Sequence, residues 1–147
     1  SMSSSEKERE QKKLENSKEK STRLDEKYHD YMLQNHAKKA IIITSRVHPG
    51  EIPASFALEG MVDFLLSENK EAKALREKYI VYVVPMINID GVVHGNQRTN
   101  LAGLDLNRVW STPSYMLSPV VYAIKNLANM VKRERKIDVF CDIHAHF

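Results

Sequence analysis

The chain has 147 residues, enough for a single domain, and its 42% hydrophobic and 28% charged residues are typical of a globular protein with an unusually charged part. The formal net charge of +3 is small and the charges are mixed in sign, so no nucleic-acid partner is expected. No apolar run approaches the roughly 20 residues of a membrane helix, so no membrane partner is expected either. A single cysteine excludes an internal disulfide, and together these features predict a cytoplasmic protein.

The first 36 residues form a charged leader that has few large aliphatic residues and alternates in charge sign. Such a segment cannot bury enough apolar surface to offset its ordering entropy, so it is expected to be disordered or to form a lone, solvated helix. We interpret residues 1–36 as a linker or insertion, and residues 37–147 as the part of the chain that supplies the hydrophobic core.

Three apolar segments rich in β-branched or aromatic residues are predicted to be strands, at residues 40–44, 79–87 and 137–143. Their apolar runs are nearly continuous, which is the pattern of strands covered on both faces. A helix is predicted in the segment 53–69, because its large apolar residues recur at near-helical spacing: Phe56, Met61, Phe64 and Leu65. A short charged helix is predicted to follow it, at residues 70–78.

A long polar segment, residues 88–119, follows the second strand and is punctuated by glycine. It is predicted to be a functional loop, since loops of that length in compact domains usually are. A last helix is predicted before the third strand, because apolar residues again recur at helical spacing: Val120, Ile124, Leu127, Ala128 and Val131. The alternation of strands and helices predicts an α/β fold with a largely parallel sheet.

The motif RVHPGE, residues 46–51, directly follows the first predicted strand and contains two possible metal ligands, His48 and Glu51. Their three-residue spacing places both side chains on one side of a helical turn, although such a pair taken alone is more often an ordinary surface pair. His144 offers a third ligand at the carboxyl end of the third strand, where open α/β sheets collect their ligand sites. Two histidines and a carboxylate form a hydrolytic zinc arrangement, whereas the plain alternative for His144 and His146 is a polar strand end.

The segment GNQRTNLAGLDLNRVW, residues 95–110, contributes Arg98, Asn107 and Arg108. A guanidinium group can bind a carboxylate through two parallel hydrogen bonds, which lysine cannot do. An asparagine–arginine pair near zinc would suit a substrate with a free carboxylate, and a second arginine would polarise the scissile carbonyl. The alternative for each of these residues is a turn residue or a solvent-facing charge.

Taken together, these motifs resemble those of the zinc carboxypeptidase family, and most closely its cytosolic carboxypeptidase branch, whose members remove glutamates from protein tails. The resemblance covers residues 38–147 and rests on RVHPGE, PMINIDGVVHGNQR, LAGLDLNRVW and DIHAH, in that order. It implies a partial α/β/α sandwich with a mostly parallel mixed sheet, in which residues 37–147 are the N-terminal part of the catalytic domain. The chain departs from the family pattern at Ile89, Gln97 and Ala145, where the family has proline, tyrosine and glycine.

The resemblance also implies a cofactor, site residues and a substrate class. Zn²⁺ would be bound by His48, Glu51 and His144. Arg98 would act at the substrate carbonyl as both a catalytic and a substrate-binding residue, and Asn107 and Arg108 would bind the substrate's terminal carboxylate. The implied activity is that of a metallocarboxypeptidase, in which zinc-activated water hydrolyses C-terminal amino acids, glutamate above all, from peptide or protein tails such as tubulin-like acidic tails.

The family's general base, a glutamate far downstream of the third ligand, has no counterpart in the chain, so the chain alone is expected to be inactive or nearly so. Asp90, Asp105 and Asp142 are instead expected to brace the long loop or to orient His144. Two alternative functions stay open: a zinc acylase or amidase acting on N-acyl amino acids, and a non-catalytic domain that binds zinc or acidic tails. RVHPGE and GNQR favour the peptidase.

Overall fold

The computed structural model describes residues 38–145, together with positions 9, 11–13, 16, 20, 22, 23 and 27 of the leader, which are helical and exposed. The chain divides into two units, residues 1–37 and residues 38–147. The expectation of a disordered or helical leader falls largely outside the described residues, and so does His146. The interpretation of the leader as a linker or insertion stays a prediction.

The three predicted strands form one sheet in the described residues, and all of them run parallel. They are β1 (Lys39–Ser45), β2 (Tyr79–Val84) and β3 (Ile137–Ile143), in the order β2-β1-β3. Ile42 at the centre of β1 lies opposite Tyr82 on one side and Phe140 on the other. The predicted α/β fold with a mostly parallel sheet is therefore confirmed, and the carboxyl ends of β1 and β3 lie side by side.

Four helices and one short 3₁₀ turn accompany the sheet within residues 38–145. They are α1 (Ile52–Leu66), α2 (Lys70–Lys78), α3 (Ile89–Val93) and α4 (Pro119–Glu134), with the 3₁₀ turn at Leu106–Arg108. The prediction for α2 matches the observed bounds, and Asn69 caps it by accepting a hydrogen bond from the backbone N–H of Glu71. None of these helices is long and apolar enough to cross a membrane.

The segment after β2 differs from its prediction in two ways. β2 ends at Val84 rather than at Ile87, because Pro85 has no N–H to continue the ladder. The segment 88–119 is not wholly irregular, since it contains α3 and the 3₁₀ turn. Ile89 is the first residue of α3, a position at which proline is also accommodated because its N–H needs no partner within the helix.

Burial differs from the expectation of strands covered on both faces. Among the described strands only β1 is mostly buried, whereas β2 and β3 are half-buried and Val139 and Phe140 are exposed. The helix predicted from the spacing of large apolar residues is present as α1, but those residues do not form its buried face: Phe56 is 68% exposed, and the buried residues of the helix are Ala54 and Leu58. A continuous apolar run shows that a segment can be buried, but not whether it lies at the centre or the edge of a sheet.

A small apolar cluster lies just beyond the ends of the strands and supports the long loop. In this cluster Val47, which precedes the predicted ligand His48, packs with residues at the start of the loop, within the loop and in α4. The members are Val47, Ile87, Leu106, Val121 and Ile124. Leu106 is fully buried within the 3₁₀ turn. The cluster therefore holds the loop against the edge of the sheet that carries the candidate ligands.

The amino ends of the strands meet around one carboxylate, that of Asp138. Its Oδ2 atom accepts hydrogen bonds from Lys39 Nζ at 2.8 Å and from Tyr79 Oη at 3.3 Å. Lys136 Nζ lies 2.9 Å from its Oδ1 atom. The hydrogen bonds from Lys39 and then Lys136 lower the pKa of Asp138 to about 2.

This depressed pKa gives a testable pH dependence. A carboxyl whose folded pKa lies below its unfolded pKa of about 3.9 stabilises the fold above that pH, and the contribution is lost as the pH falls towards 2. Lys39→Met is expected to raise the pKa of Asp138 towards the unfolded value, and Lys136→Met to raise it less. NMR titration of the carboxyl carbon measures both, and a pKa near 3.9 in the unsubstituted protein would contradict the assignment.

Candidate metal centre

The turn between β1 and α1 places two candidate ligands in contact. β1 ends at Ser45, α1 begins at Ile52, and His48 and Glu51 lie between them with 4% and 8% of their surfaces exposed. His48 Nδ1 lies 2.7 Å from Glu51 Oε1. Glu51 occupies the N-cap position of α1, where proline in the first helical turn suits the backbone.

His144 meets the same carboxylate from the neighbouring strand. Because β3 is parallel to β1 and Ile143 lies opposite Ser45, His144 projects at the sheet edge from which the RVHPGE turn departs. Its Nδ1 atom lies 3.0 Å from Glu51 Oε2, which also accepts a hydrogen bond from the N–H of Ala145 at 3.2 Å. One ligand atom from each of His48, Glu51 and His144 lies within 4.8 Å of the other two.

Each imidazole is held on its far side by an aspartate. His48 Nε2 lies 3.0 Å from Asp105 Oδ1, and His144 Nε2 lies 2.9 Å from Asp142 Oδ2. Thr44 Oγ1 in turn donates to Asp142 Oδ1 at 2.7 Å. Both rings present Nδ1 towards Glu51, and a metal bound there would replace the Nδ1 proton while each Nε2–H still donates to its aspartate.

The predicted aspartates therefore have different surroundings. Asp142 orients His144 as expected, whereas Asp105 contacts the other histidine, His48. Asp90 contacts neither ring: it is exposed in the first turn of α3, and its backbone carbonyl accepts from the N–H of His94.

The donor set fits a zinc ion. Two imidazole nitrogens and one carboxylate oxygen are the ligands that a three-residue zinc site uses while leaving a further position open. Burial acts to raise the pKa of Glu51, but the hydrogen bonds from His48 and Ala145 and the charges of both imidazoles outweigh it and lower the pKa below its ordinary value. The carboxyl is thus ionised at neutral pH, as a metal ligand requires.

The same three residues line a cleft of about 550 Å³ with the arginine-containing loop. Arg98, Asn107, Arg108 and Ala145 complete its lining, so every site residue predicted from the sequence borders one cleft. The guanidinium of Arg98 is half exposed and donates from Nε to Asp105 Oδ2 at 2.8 Å, while Arg108 is exposed.

The side-chain amide of Asn107 is oriented by a neighbour. Trp110 Nε1, which can only donate, lies 3.1 Å from Asn107 Oδ1. This hydrogen bond orients the amide, whose NH₂ group can donate to a ligand. Together with the guanidinium of Arg108, the NH₂ group provides hydrogen-bond donors at this point of the cleft, which suits an anion such as a carboxylate.

Asp105 joins the two halves of the cleft. One oxygen of its carboxylate contacts His48 and accepts from the N–H of Asn107, and the other accepts from Arg98. Burial acts to raise the pKa of Asp105, but the hydrogen bonds from His48, Asn107 and Arg98 together lower it. A single ionised carboxylate thereby holds one candidate metal ligand and one candidate substrate-binding arginine in a common position.

The sequence predicted no role in the site for three residues that contribute to it: Thr44, Arg46 and Gln97. The backbone carbonyl of Gln97 accepts from the N–H of Gly50 at 2.8 Å and so ties the RVHPGE turn to the arginine-containing loop. Arg46 is a buried residue of that turn, and its guanidinium donates to the Pro49 carbonyl at 2.6 Å. The sequence signal for Arg46 was its place inside the motif itself, where a charged residue precedes a buried valine.

Gly91 allows the loop to approach the RVHPGE turn closely. A Cβ atom built on Gly91 would lie 2.5 Å from Pro49 Cγ and 2.6 Å from Asn88 Oδ1. The Asn88 side chain accepts from the N–H of Gly91 and donates to the Val47 carbonyl, so it has little freedom to move. A side chain at position 91 would therefore displace Pro49, which lies between the two ligands of the turn.

Gly91→Ala is expected to destabilise the protein by about 1–3 kcal/mol, the usual cost of forcing an extra group into a packed site. Gly60→Ala is the matched control, because Gly60 also lies within a helix and its added Cβ would meet nothing within 4 Å. That control is expected to be neutral or to stabilise by up to about 1 kcal/mol. Urea unfolding measures both variants, and equal stability of the two would contradict the proposed contact.

Comparison with known proteins identifies a family and relatives that the chain resembles. The family described as zinc carboxypeptidase matches residues 1–145. Cytosolic carboxypeptidase 1 of Xenopus laevis is 42% identical over 120 residues, which are 81% of this chain and 10% of that protein. Cytosolic carboxypeptidase 6 of Caenorhabditis elegans is 44% identical over 112 residues, 75% of this chain and 24% of that protein.

A solved structure agrees as well. The metallo-carboxypeptidase from Pseudomonas aeruginosa, in complex with (2-guanidinoethylmercapto)succinic acid, superposes with a TM-score of 0.66 at 38% identity, covering 75% of this chain and 28% of that one. The chain thus spans less than a third of the length of each of these relatives.

Proposed function

This chain belongs to the zinc carboxypeptidase family, and we propose that it supplies the zinc-binding and carboxylate-binding part of a metallocarboxypeptidase that removes C-terminal amino acids from peptide or protein tails. The observation that carries the proposal is the meeting of His48 and His144 on the two oxygens of Glu51, in the cleft that Arg98 and Arg108 also line. The residues proposed to bind the metal and the arginines proposed to bind a carboxylate thus line one cleft.

His48, Glu51 and His144 bind the zinc ion in this proposal. When bound there, Zn²⁺ supplies the Lewis acidity that generates a nucleophile from water at neutral pH. Asp105 and Asp142 hold the two imidazoles in the tautomer that presents Nδ1, and the low pKa of Glu51 keeps its carboxylate charged. The general base is not assigned to any residue of this chain, and low activity of the chain alone stays a prediction.

The other lining residues bind and orient the substrate. Asn107 and Arg108 bind its terminal carboxylate through the amide NH₂ and the guanidinium, in keeping with the hydrogen-bond donors that both side chains offer. Arg98 keeps its terminal nitrogens for the scissile carbonyl, because its Nε–H is engaged by Asp105. Donors already fixed in place stabilise a developing oxyanion without reorganising during the reaction.

Glutamate is the proposed terminal residue, and acidic protein tails of the tubulin type are the proposed substrates. Two arginines and no unpaired carboxylate border the described cleft, so an acidic tail meets a favourable potential. The names of the cytosolic carboxypeptidase relatives support cytoplasmic action. The carboxylate-bearing succinic acid derivative bound by the Pseudomonas relative supports an anion-binding site.

Removal of single ligands tests the zinc site. Each of three single-ligand variants is expected to lower zinc affinity: His48→Ala, Glu51→Ala and His144→Ala. The loss should exceed the roughly 10- to 100-fold that follows removal of an outer hydrogen-bond partner. His94→Ala is the matched control, since His94 is exposed at the end of α3 and outside the triad. Zinc content after dialysis and competition titration measure the affinity, and full retention of zinc in the triad variants would refute the site.

Substrate preference tests the reaction class in the full-length protein. Arg108→Lys is expected to lower kcat/KM for a glutamate-tailed peptide about 10- to 100-fold, which corresponds to a charged hydrogen bond of about 1.5–3 kcal/mol. The C-terminal amide of that peptide should be a poor substrate for both proteins. Faster hydrolysis of an N-acyl aspartate would support the zinc acylase instead, and zinc and peptide binding without turnover would support the non-catalytic domain.

A further inference from the structure

Arg46 adopts an unusual backbone conformation next to the candidate metal centre. Its φ is +58°, which makes it the one non-glycine residue with positive φ within the described part of the chain. This left-handed conformation is costly for a residue with a Cβ atom, and glycine would adopt it more readily. Strain of this kind persists only where surrounding contacts hold it, so the side chain of Arg46 must contribute something that glycine would not.

The contacts of the Arg46 guanidinium lie on both sides of the ligand Glu51. Nη2 donates to the backbone carbonyl of Pro49 at 2.6 Å, and Nη1 donates to Ser55 Oγ at 2.9 Å. Pro49 lies between the two ligands of the turn, and Ser55 lies one helical turn beyond Glu51, in α1. One buried cation, 7% exposed, thus ties the peptide between His48 and Glu51 to the helix that follows.

The backbone of Arg46 anchors this arrangement to the sheet. Its carbonyl accepts from the N–H of Asn88 at 3.0 Å, next to the bond between Ile87 N–H and the Ser45 carbonyl at 2.9 Å. The β1 end of the turn is therefore fixed, and the guanidinium extends that support to Pro49 and α1. Hydrogen bonds from a charged donor are shorter and stronger than neutral ones, and burial strengthens them further.

We propose that Arg46 is a positioning residue for the zinc ligands: its guanidinium, held by a strained backbone, sets the separation of His48 and Glu51 before the metal binds. The proposal rests on the zinc site of the proposed function and extends it to a residue that touches neither metal nor substrate. Outer partners of metal ligands govern affinity because an ion binds tightly only where its ligands need no rearrangement.

Two variants separate the guanidinium from the backbone. Arg46→Ala removes the guanidinium and keeps the strained backbone, whereas Arg46→Gly removes both the guanidinium and the strain. If the guanidinium positions the ligands, both variants lose zinc affinity by about 10- to 100-fold, and Arg46→Lys recovers part of the loss. Arg46→Gly binding zinc as tightly as the unsubstituted protein would show that the backbone conformation alone matters and would overturn the proposal.

Arg76→Ala is the matched control for stability. The guanidinium of Arg76 also donates to backbone carbonyls, those of Leu65 and Ser67, but at the far end of α1. This variant is expected to lower the unfolding midpoint while leaving zinc affinity unchanged. If the Arg46 and Arg76 variants lose zinc affinity in the same proportion to their loss of stability, the role of Arg46 is merely structural. That result would overturn the proposal.

Zinc affinity is measured by competition titration on the full-length protein. Stability is measured by urea unfolding of the metal-free protein. The geometry of the ligands is followed by the visible spectrum of the Co²⁺-substituted protein. The spectrum of Arg46→Lys is expected to shift while that of Arg76→Ala does not, which keeps the proposal testable if Arg46→Ala fails to fold. Unchanged spectra and affinities in Arg46→Lys and Arg46→Gly would refute the positioning role. Absence of zinc binding by the unsubstituted protein would instead refute the proposed function.

Discussion

The carboxylate of Glu51, shared between two imidazoles, is the contact on which the rest of the site depends. His48 reaches it from the same turn, and His144 reaches it from the neighbouring strand. Without a metal or a proton between them, the buried groups of His48 and Glu51 would be costly to desolvate, whereas His144 is itself exposed. Groups that meet in this way are stabilised by sharing a proton or a metal, and these nitrogen and oxygen donors suit zinc.

The scaffold makes this contact by bringing parallel strand ends together and then fixing the loops that leave them. The turn after β1 is held from three directions: by Asn88 through the Val47 carbonyl, by Gln97 through the N–H of Gly50, and by Arg46 through the Pro49 carbonyl. Each of these is a hydrogen bond to backbone, so the turn is held whatever its side chains bind. Rigid support of this kind is what a metal site with few ligands requires.

Asp105 connects the side of the cleft that carries His48 to the side that carries Arg98. Because one carboxylate contacts both His48 and Arg98, a displacement of the proposed metal ligand would also move the arginine proposed to face the substrate, and the reverse. The sequence predicted only that Asp105 would brace the loop or orient His144, because its two observed partners are 57 and 7 residues away along the chain and nothing in the spacing connects them. Side-chain partnerships across such separations are decided by folding, not by local pattern.

The amino-acid sequence by itself determined the alternation of strands and helices, the bounds of α2 and β3, and the residue types that border the cleft. These features follow from hydrophobic periodicity, capping residues and local motifs, which are properties of neighbours along the chain. The tertiary structure alone decided that β1 is central while β2 and β3 are half-exposed, that Phe56 faces solvent, and that each Nε2 atom meets its own aspartate. Burial and hydrogen-bond partnership depend on which distant segments pack together, and no short stretch of sequence contains that information.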